Sequence, residues 1–382
     1  MLQPKDKDWL NGYKNKTPTY VVYKRPTSKQ GKGQRRIGAL DGTGHGCVIT
    51  QDIPEVTKGK VLVKVHASLI SPGTELNGAK TARKEGKTEV GTPKPFGYQN
   101  AGEIIEVDPS VTQFKVGDRV ACMGGGYAQH SDYAVVPQNL CCLLPDNVSY
   151  EEGAYAHLAI TSMHAVRRAE PVFGEYMVVV GMGLVGQMAC RLGQIAGCYV
   201  MGWDMCDFRL DIAKKWGIDA TMQVGKVEDY KAVAKEFTCG KGFDLAVMAF
   251  GGNGDSALEM VKNVMKVSPD THQMGRLSMV GGLKTLCGWG AALGNLDLRC
   301  CARTGAGYHD DAWEIGDHEY PEVFMRWTTR SNMELALRYM SEGKLNVKCL
   351  TSHRLPLDQI DVAVSAHIEQ PNSTLGTVLL YD

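Results

Sequence analysis

The sequence predicts an α/β protein made of two parts, one rich in antiparallel strands and one built on a doubly wound parallel sheet. Three observations lead to this prediction. The length of 382 residues is enough for two or three domains of ordinary size. Short apolar segments separated by glycine and proline occupy residues 19–150. From Glu175 onward, strand-length segments alternate with helix-length segments.

The first part contains the short, alternating apolar segments that are typical of half-buried strands. Strands are predicted at Val61–His66, Gly102–Val107 and Ser131–Pro137. Turns are predicted between them at Ser71-Pro72-Gly73 and at Met123-Gly124-Gly125-Gly126. This part is therefore expected to be an antiparallel, barrel-like β domain.

The second part alternates between two patterns. Buried-strand segments precede segments with helical spacing, which predicts βαβ units and hence a parallel sheet. In chain order the predicted elements are the strand Tyr176–Val180, the helix Leu184–Ile195, the strand Tyr199–Trp203, the helix Phe208–Trp216, the strand Asp244–Phe250, the helix Ser256–Met265 and the strand Arg276–Val280. After about Arg303 the pattern is mixed, with a helix expected at Asn332–Ser341 and a last strand at Gly376–Leu380.

The composition argues against several classes of protein. The 42 basic and 42 acidic residues cancel, so neither nucleic acid nor a membrane surface is expected as a partner. The pattern of the amino-terminal residues leads us to expect no secretory signal, and apolar runs such as Met177–Val180 are too short to span a bilayer. The twelve cysteines form no C-x-x-C pair, which favours reduced thiols and a cytoplasmic location. His309 and His318 lie among acidic residues at a spacing that fits no standard metal site, so a solvated loop is expected there.

A G-x-G-x-x-G motif directly follows a predicted strand and begins a predicted helix. In this context Gly181 allows a tight turn, Gly183 lets the backbone approach a pyrophosphate, and Gly186 allows close packing of helix on strand. The helix start at Leu184 and Val185 would present amide groups to the phosphates. The motif therefore predicts a dinucleotide site, the alternative being a glycine turn that binds nothing.

An acidic residue, Asp204, ends the second predicted strand of the parallel sheet. Its carboxylate would accept hydrogen bonds from the adenosine ribose hydroxyls and would repel a 2′-phosphate, which predicts NAD as the cofactor. Two alternatives remain open. Asp204 caps the following helix, or Arg209, which is close in sequence, neutralises a phosphate.

Several segments carry a resemblance to a known family: the glycine motif, Gly97-Tyr98-Gln99-Asn100-Ala101-Gly102, Gly117-Asp118-Arg119-Val120 and Val280-Gly281-Gly282. Through them nearly the whole chain resembles the medium-chain dehydrogenase/reductase superfamily of alcohol and polyol dehydrogenases. The resemblance implies a GroES-like catalytic domain at residues 1–170 and 309–382 and a Rossmann NAD-binding domain at residues 171–308. Gly251 and Gly281 are expected in the cofactor site, and a homo-oligomer, dimer or tetramer, is expected.

The motifs that hold the catalytic zinc in many members of this superfamily are altered here. Pro72-Gly73-Thr74-Glu75 stands where those enzymes carry C-G-T-D, and Gly97-Tyr98-Gln99 replaces G-H-E. At the third ligand position stands His157. Proline and glutamine cannot replace a thiolate or an imidazole, and zinc needs three protein ligands with an open position. The sequence therefore resembles the zinc-independent branch, and no metal is expected.

Without zinc, a protein side chain must accept the hydroxyl proton when an alcohol is oxidised. His157 is the first candidate, because its matched position in the family faces the cleft beneath the nicotinamide; an inert core histidine is the alternative. Glu75 and Tyr98 are competing acid or base groups, although Glu75 could instead brace its loop and Tyr98 could form an aromatic wall. Thr74 matches a hydroxyl that relays protons in zinc-containing members, and otherwise caps a turn.

The substrate is expected to contact Gln99, Trp289, Arg326 and Trp327. The last two belong to a polar, aromatic segment at Tyr308–Arg330 that suits a hydroxylated ring, unless it is an ordinary surface loop. The resemblance implies an NAD-dependent oxidoreductase that interconverts a secondary alcohol and a ketone on a sugar, glycoside, cyclitol or other polyol. The alternatives are an NADPH-dependent enoyl or quinone reductase and a catalytically inactive nucleotide-binding relative.

Overall fold

The computed structural model describes residues 33–382, so residues 1–32 of the predicted catalytic domain lie outside it. The elements before residue 170 are mainly strands. In chain order they are β1 (Gln34–Leu40), β2 (Gly46–Asp52), β3 (Lys60–Leu69), α1 (Asn77–Lys84), β4 (Lys94–Pro95), β5 (Gln99–Val107), β6 (Arg119–Met123), β7 (Tyr133–Pro137), β8 (Cys141–Leu143), α2 (Tyr150–Gly153) and α3 (Ala156–Ala169).

Alternating strands and helices follow. They are β9 (Tyr176–Val180), α4 (Leu184–Ile195), β10 (Tyr199–Asp204), α5 (Asp207–Trp216), β11 (Ala220–Gln223), α6 (Tyr230–Phe237), β12 (Leu245–Ala249), β13 (Gly252–Asn253), α7 (Asp255–Lys262), β14 (Met274–Val280), β15 (Leu283–Lys284) and β16 (Asn295–Cys301). The remaining helices and strands are α8 (Asp311–Glu314), α9 (Thr329–Ser341), β17 (Thr351–Pro356), α10 (Ile360–Glu369) and β18 (Gly376–Leu380).

The first large sheet is mixed and mostly antiparallel. Its strands lie in the order β17-β18-β3-β5-β6-β8, and β7 also pairs with β3. The long strand β3 pairs with β5, β7 and β18, all in the antiparallel sense. Strands from before and after the parallel sheet in sequence therefore share one sheet.

The second large sheet is parallel, with the strand order β11-β10-β9-β12-β14-β16. The order changes direction between β9 and β12, which opens a crevice at the carboxyl ends of these two strands. Helix α4 begins at that crevice. The predicted α/β fold class, with a β-rich part and a doubly wound parallel sheet, is confirmed.

Helix α3 connects the two sheets. It packs against α4 and α9 and contacts strands of both sheets. The Ser162 hydroxyl of α3 donates to the Val185 carbonyl at 3.0 Å, which ties α3 to the start of α4. This contact places the first turn of α3, with His157, beside the crevice.

The predicted elements agree with the structure where the sequence pattern is strong. Strands β9 and β18 and helix α4 have the predicted bounds. The predicted helix Ser256–Met265 ends too late, because α7 stops at Lys262 and Met265 pairs with Phe243 in a β-bridge. Among residues 33–382, no helix is both long and apolar enough to cross a membrane.

Candidate active site

The glycine motif forms the turn between β9 and α4. Gly181 has φ +93°, a left-handed conformation that disfavours any side chain. A Cβ atom at Gly186 would lie 1.8 Å from the carbonyl oxygen of Gly181. Only a glycine at position 186 therefore lets helix α4 pack so closely on the turn.

Gly183 differs from these two, because a Cβ atom there would meet no atom within 4 Å. It is the N-cap residue of α4 and supplies no side-chain hydrogen bond to the helix. The first-turn amides, which begin at Leu184 and Val185, have no intrahelical partner and carry partial positive charge. The open space and these donors fit the pyrophosphate of a dinucleotide.

Asp204, at the end of β10, reaches back to the glycine motif. Its Oδ2 accepts a hydrogen bond from Met182 N at 2.7 Å, and its Oδ1 accepts one from Cys206 N at 2.8 Å. Cys206 is itself the N-cap residue of α5, so Asp204 does not cap that helix. Each carboxylate oxygen retains a lone pair that a ribose hydroxyl can use. Arg209 Nη1 lies 3.7 Å from Oδ2.

Gly251 and Gly281 lie in the turns that follow β12 and β14. A backbone hydrogen bond of 3.1 Å from Gly252 N to Gly282 O holds the two turns side by side. A Cβ atom at Gly181 would lie 2.8 Å from a carbonyl oxygen of β12, so the glycine motif borders the first of these turns. The structure thus brings the predicted cofactor residues together at one edge of the parallel sheet.

Three hydroxyl groups meet next to β5, and we call Ser71, Thr74 and Tyr98 the hydroxyl cluster. The Tyr98 hydroxyl hydrogen-bonds with the side chains of Ser71 and Thr74. Burial raises the pKa of Tyr98 well above its usual value, and the nearby charge of Glu75 raises it further. Tyr98 therefore remains a phenol at neutral pH, which suits a hydrogen-bond donor rather than a base.

His157 is 7% exposed and lies beside the hydroxyl cluster. Its Nδ1 is 3.1 Å from the Tyr98 carbonyl oxygen, and because a carbonyl can only accept, Nδ1 carries the proton. The other ring nitrogen, Nε2, is then the acceptor. Burial lowers the pKa of His157 to about 4, and the charge of His309 lowers it to a smaller extent. The imidazole is therefore neutral at physiological pH, as a proton acceptor must be.

Two residues that the sequence analysis did not single out complete the surroundings of His157 and Glu75. The Tyr308 hydroxyl accepts a hydrogen bond from Gly125 N at 2.8 Å, and its ring is edge-on to His157 with centroids 5.8 Å apart. The fully buried His130 has its Nε2 3.3 Å from a Glu75 carboxylate oxygen. Neither residue belongs to a family motif. Both reach the site through tertiary contacts from loops that are distant in sequence.

The structure contradicts the prediction that Gln99 contacts the substrate. Its side chain is fully buried. Nε2 donates to the Leu69 carbonyl at 3.1 Å, and Oε1 accepts from Leu158 N at 3.3 Å. With both ends of the amide bonded to backbone, Gln99 joins β5 to β3 and α3 and offers no surface to a substrate.

The predicted aromatic contacts differ in how far they are buried. Trp313 of the polar, aromatic segment is 1% exposed and belongs to the core. The guanidinium carbons of Arg167 and Arg326 lie 3.5 Å and 4.7 Å from the ring centre of Trp327, so cation–π contacts occupy this indole. Trp289, in the loop after β15, is 80% exposed. The roles of Trp289, Arg326 and Trp327 toward a substrate therefore remain predictions.

The described part of the chain contains no group of three or more histidine, cysteine, aspartate or glutamate side chains arranged to hold a metal ion. His318 Nε2 lies 3.4 Å from an Asp310 carboxylate oxygen. His309 instead stacks on Tyr308, with ring centroids 3.9 Å apart.

Two buried histidines should make the fold sensitive to acid. Burial lowers the pKa of His157 to about 4 and that of His367 to about 3. An unfolded histidine has a pKa of about 6.5, so the unfolded chain binds more protons between about pH 6.5 and pH 4. In that window we expect the free energy of unfolding to decrease as the pH is lowered, by up to about 1.4 kcal/mol per pH unit for each histidine.

Urea unfolding at about pH 7 and about pH 5 measures this loss. His367→Phe should reduce the difference between the two pH values, because one of the two groups no longer titrates. An undiminished difference in that variant would show that His367 does not contribute.

Comparison with known protein families gives two matches. Residues 57–170 match the alcohol dehydrogenase GroES-like domain, and residues 185–286 match the zinc-binding dehydrogenase family. The first match contains the hydroxyl cluster and His157, and the second begins inside the glycine motif.

Individual proteins agree with these matches. The chain is 29% identical over 197 residues to a probable D-xylulose reductase A of Aspergillus fumigatus, a match that covers 44% of this chain but only 55% of that protein. It is 30% identical over 249 residues to sorbitol dehydrogenase of Bacillus subtilis, covering 57% of this chain and 70% of that protein. The structure of galactitol-1-phosphate dehydrogenase from Escherichia coli is similar in fold, with a TM-score of 0.72 at 18% identity over 91% of this chain and 100% of that one. The chain therefore belongs to the medium-chain dehydrogenase/reductase superfamily of alcohol dehydrogenase-like proteins.

Proposed function

We propose that this chain is an NAD-dependent oxidoreductase that interconverts a secondary alcohol and a ketone on a sugar, glycoside, cyclitol or other polyol, without a catalytic zinc. The observation that carries the proposal is the neutral imidazole of His157 beside the hydroxyl cluster. Alcohol oxidation requires an acceptor for the hydroxyl proton, and a hydroxyl donor stabilises the oxygen from which that proton leaves.

Bound NAD would supply the acceptor for the hydride that leaves the alcohol carbon. Residues of the chain would hold it in place. The amides at Leu184 and Val185 would bind the pyrophosphate through the space left by Gly183. Asp204 would bind the ribose hydroxyls and disfavour a 2′-phosphate, which supports NAD over NADP.

The proton of the substrate hydroxyl is handled by side chains. His157 accepts it at Nε2, while the Tyr98 carbonyl holds Nδ1–H and so keeps the ring in the accepting tautomer. Tyr98, as a phenol, donates a hydrogen bond to the substrate oxygen, and Thr74 orients the Tyr98 hydroxyl. In the reverse direction the same groups return the proton to the ketone oxygen.

The donor set does not fit a catalytic zinc. Pro72 and Tyr98 stand at two of the three ligand positions of the zinc-containing members. Proline has no donor side chain, and a phenol that stays protonated is a poor ligand for a metal that prefers thiolate, imidazole or carboxylate. No step of the proposed reaction therefore involves a metal.

The class of substrate is supported by the names of similar proteins. The matched relatives are named for xylulose and sorbitol, and a similar structure is named for galactitol 1-phosphate. All three are polyhydroxylated molecules. A homo-oligomer and a cytoplasmic location, both expected from the sequence, remain predictions.

A panel of polyols, sugars and cyclitols assayed with NAD⁺ and with NADP⁺ tests the proposal. We expect oxidation of at least one polyol, with kcat/KM at least about tenfold higher with NAD⁺ because of the Asp204 carboxylate. Reduction of enoyl compounds or quinones with NADPH, without polyol oxidation, would favour the reductase alternative. NADH binding without turnover of any substrate would favour an inactive relative.

A further inference from the structure

Behind the hydroxyl cluster, four side chains form a continuous hydrogen-bonded series that we call the buried row: Glu75, His130, Ser68 and Tyr381. Glu75 Oε2 lies 3.3 Å from His130 Nε2. His130 Nδ1 lies 2.8 Å from Ser68 Oγ, which in turn lies 2.7 Å from the Tyr381 hydroxyl. His130 and Ser68 are fully buried, Tyr381 is 8% exposed, and the Glu75 side chain is 4% exposed.

The buried row can hold His130 in either charge state. When the imidazole is neutral, Nε2–H donates to Glu75 and the Ser68 hydroxyl donates to Nδ1. When it is protonated, Nδ1–H donates to Ser68, whose hydroxyl turns to donate to Tyr381. Because hydroxyl groups exchange donor and acceptor roles, the contact between Ser68 and His130 survives the addition of a proton.

Glu75 gives the row a negative end next to the hydroxyl cluster. Its Oε2 accepts a hydrogen bond from Ser71 N at 2.7 Å, whereas Oε1 is buried with no hydrogen-bond partner among the described residues. An unpaired carboxylate oxygen in the interior is costly, and a proton or a donor relieves that cost. The charge of Glu75 also acts on Tyr98, so the row begins beside the hydroxyl cluster.

Glu75 is the carboxylate that contacts His130, whereas the other charged groups near the buried row lie beside Tyr381. Asp132 and Arg36 form an ion pair of 3.2 Å beyond Tyr381 and both act on its hydroxyl. On the remaining side the Phe96 ring packs edge-on against the imidazole, with centroids 4.7 Å apart. An adjacent carboxylate favours the charged form of a histidine.

We propose that Glu75 and His130 together receive the proton that the alcohol releases, and that Ser68 and Tyr381 position His130 for this role. This inference rests on the proposed function. With NAD bound, the C–H bond of the alcohol carbon would break and its electron pair would leave as hydride to the nicotinamide. The O–H bond breaks, and its proton passes from His157 through the hydroxyl cluster to the Glu75–His130 pair, which gains one positive charge. With a pKa of about 4, His157 holds the proton only briefly at neutral pH.

Nuclear magnetic resonance of nitrogen-15-labelled histidine measures the protonation of His130 directly in the unliganded protein, with a His130→Gln spectrum for assignment. We expect this imidazole to take up a proton on acidification while its contact with Ser68 is kept, because the Ser68 hydroxyl can donate or accept. Tyr381→Phe removes the acceptor for Ser68 in the protonated state. It should lower the proton affinity of His130 about tenfold, the cost of one buried hydrogen bond. Tyr155→Phe, which removes a buried hydroxyl 2.7 Å from Thr351 Oγ1, is the matched control and should have no such effect.

Kinetics of the NAD-loaded enzyme give a second readout. Glu75→Gln should lower kcat about tenfold or more with little change in KM, and Glu75→Asp should recover part of the loss. An imidazole that takes up no proton before the protein unfolds in acid, or wild-type kcat in both Glu75→Gln and Tyr381→Phe, overturns the inference and leaves the dehydrogenase function intact. If the wild-type protein oxidises no alcohol, the proposed function fails, and the titration of the unliganded protein still decides whether the pair takes up a proton.

Discussion

Alanine in place of His157 is expected to lower kcat for alcohol oxidation about a hundredfold or more, while NADH binding persists. The imidazole supplies the acceptor nitrogen Nε2, and its other nitrogen, Nδ1, contacts the Tyr98 carbonyl. The predicted dinucleotide contacts lie at the glycine motif and the neighbouring turns at the edge of the parallel sheet. The variant therefore loses the proton acceptor without losing a contact to the cofactor. Single-turnover rates and an NADH fluorescence titration measure the two effects separately.

His164→Ala is the matched control for this variant. His164 lies on the same helix, about two turns after His157, and is half-buried. We expect its kcat to stay within about twofold of the wild-type value. Unchanged kinetics in His157→Ala would remove His157 from the mechanism and support its alternative role as an inert core histidine.

Alanine in place of Gly183 is expected to weaken NADH binding at least about tenfold without lowering the melting temperature. The protein can accommodate the added methyl group, because φ is −69° and no atom lies within 4 Å of the new Cβ position. The methyl group would occupy the space through which the backbone approaches the pyrophosphate. Calorimetric titration with NADH and thermal unfolding of the same sample measure both quantities.

Gly186→Ala provides the contrast. Its Cβ atom would lie 1.8 Å from the Gly181 carbonyl oxygen, so the helix must move away from the turn. We expect this variant to lose both melting temperature and NADH affinity. Wild-type affinity in Gly183→Ala would instead contradict the placement of the pyrophosphate at this motif.

Most of the parallel sheet could be predicted because its signals are local. An apolar strand, a glycine motif and a helical pattern follow one another directly at β9 and α4. The strand β16 (Asn295–Cys301) was missed, since it lies at the edge of the sheet and its residues are mostly half-exposed or exposed. An edge strand with few buried positions lacks the apolar run that marks a buried one.

The candidate site could be predicted only where a motif carries it. Thr74, Tyr98 and His157 follow from family motifs, and the structure brings them together. His130 and Tyr308 could not be found in this way, because tertiary contacts alone bring them to the site. The type of a residue also does not show whether its side chain is buried or available to a substrate.

Gln99 and Trp313 are two buried residues of this kind. A glutamine beside a family motif and a tryptophan in a polar segment both suggest contact with a hydroxylated molecule. In the structure Gln99 bonds backbone groups in the interior, and Trp313 packs in the core. Polar and aromatic side chains serve packing as readily as binding, and sequence alone does not separate the two uses.

In the proposed reaction side chains, and no bound cation, take the proton from the substrate hydroxyl. Elemental analysis of the purified enzyme, combined with kcat before and after dialysis against a zinc chelator, tests it most directly. We expect far less than one divalent ion per chain and an unchanged kcat. One zinc ion per chain, whose removal abolishes turnover and whose return restores it, would contradict the account.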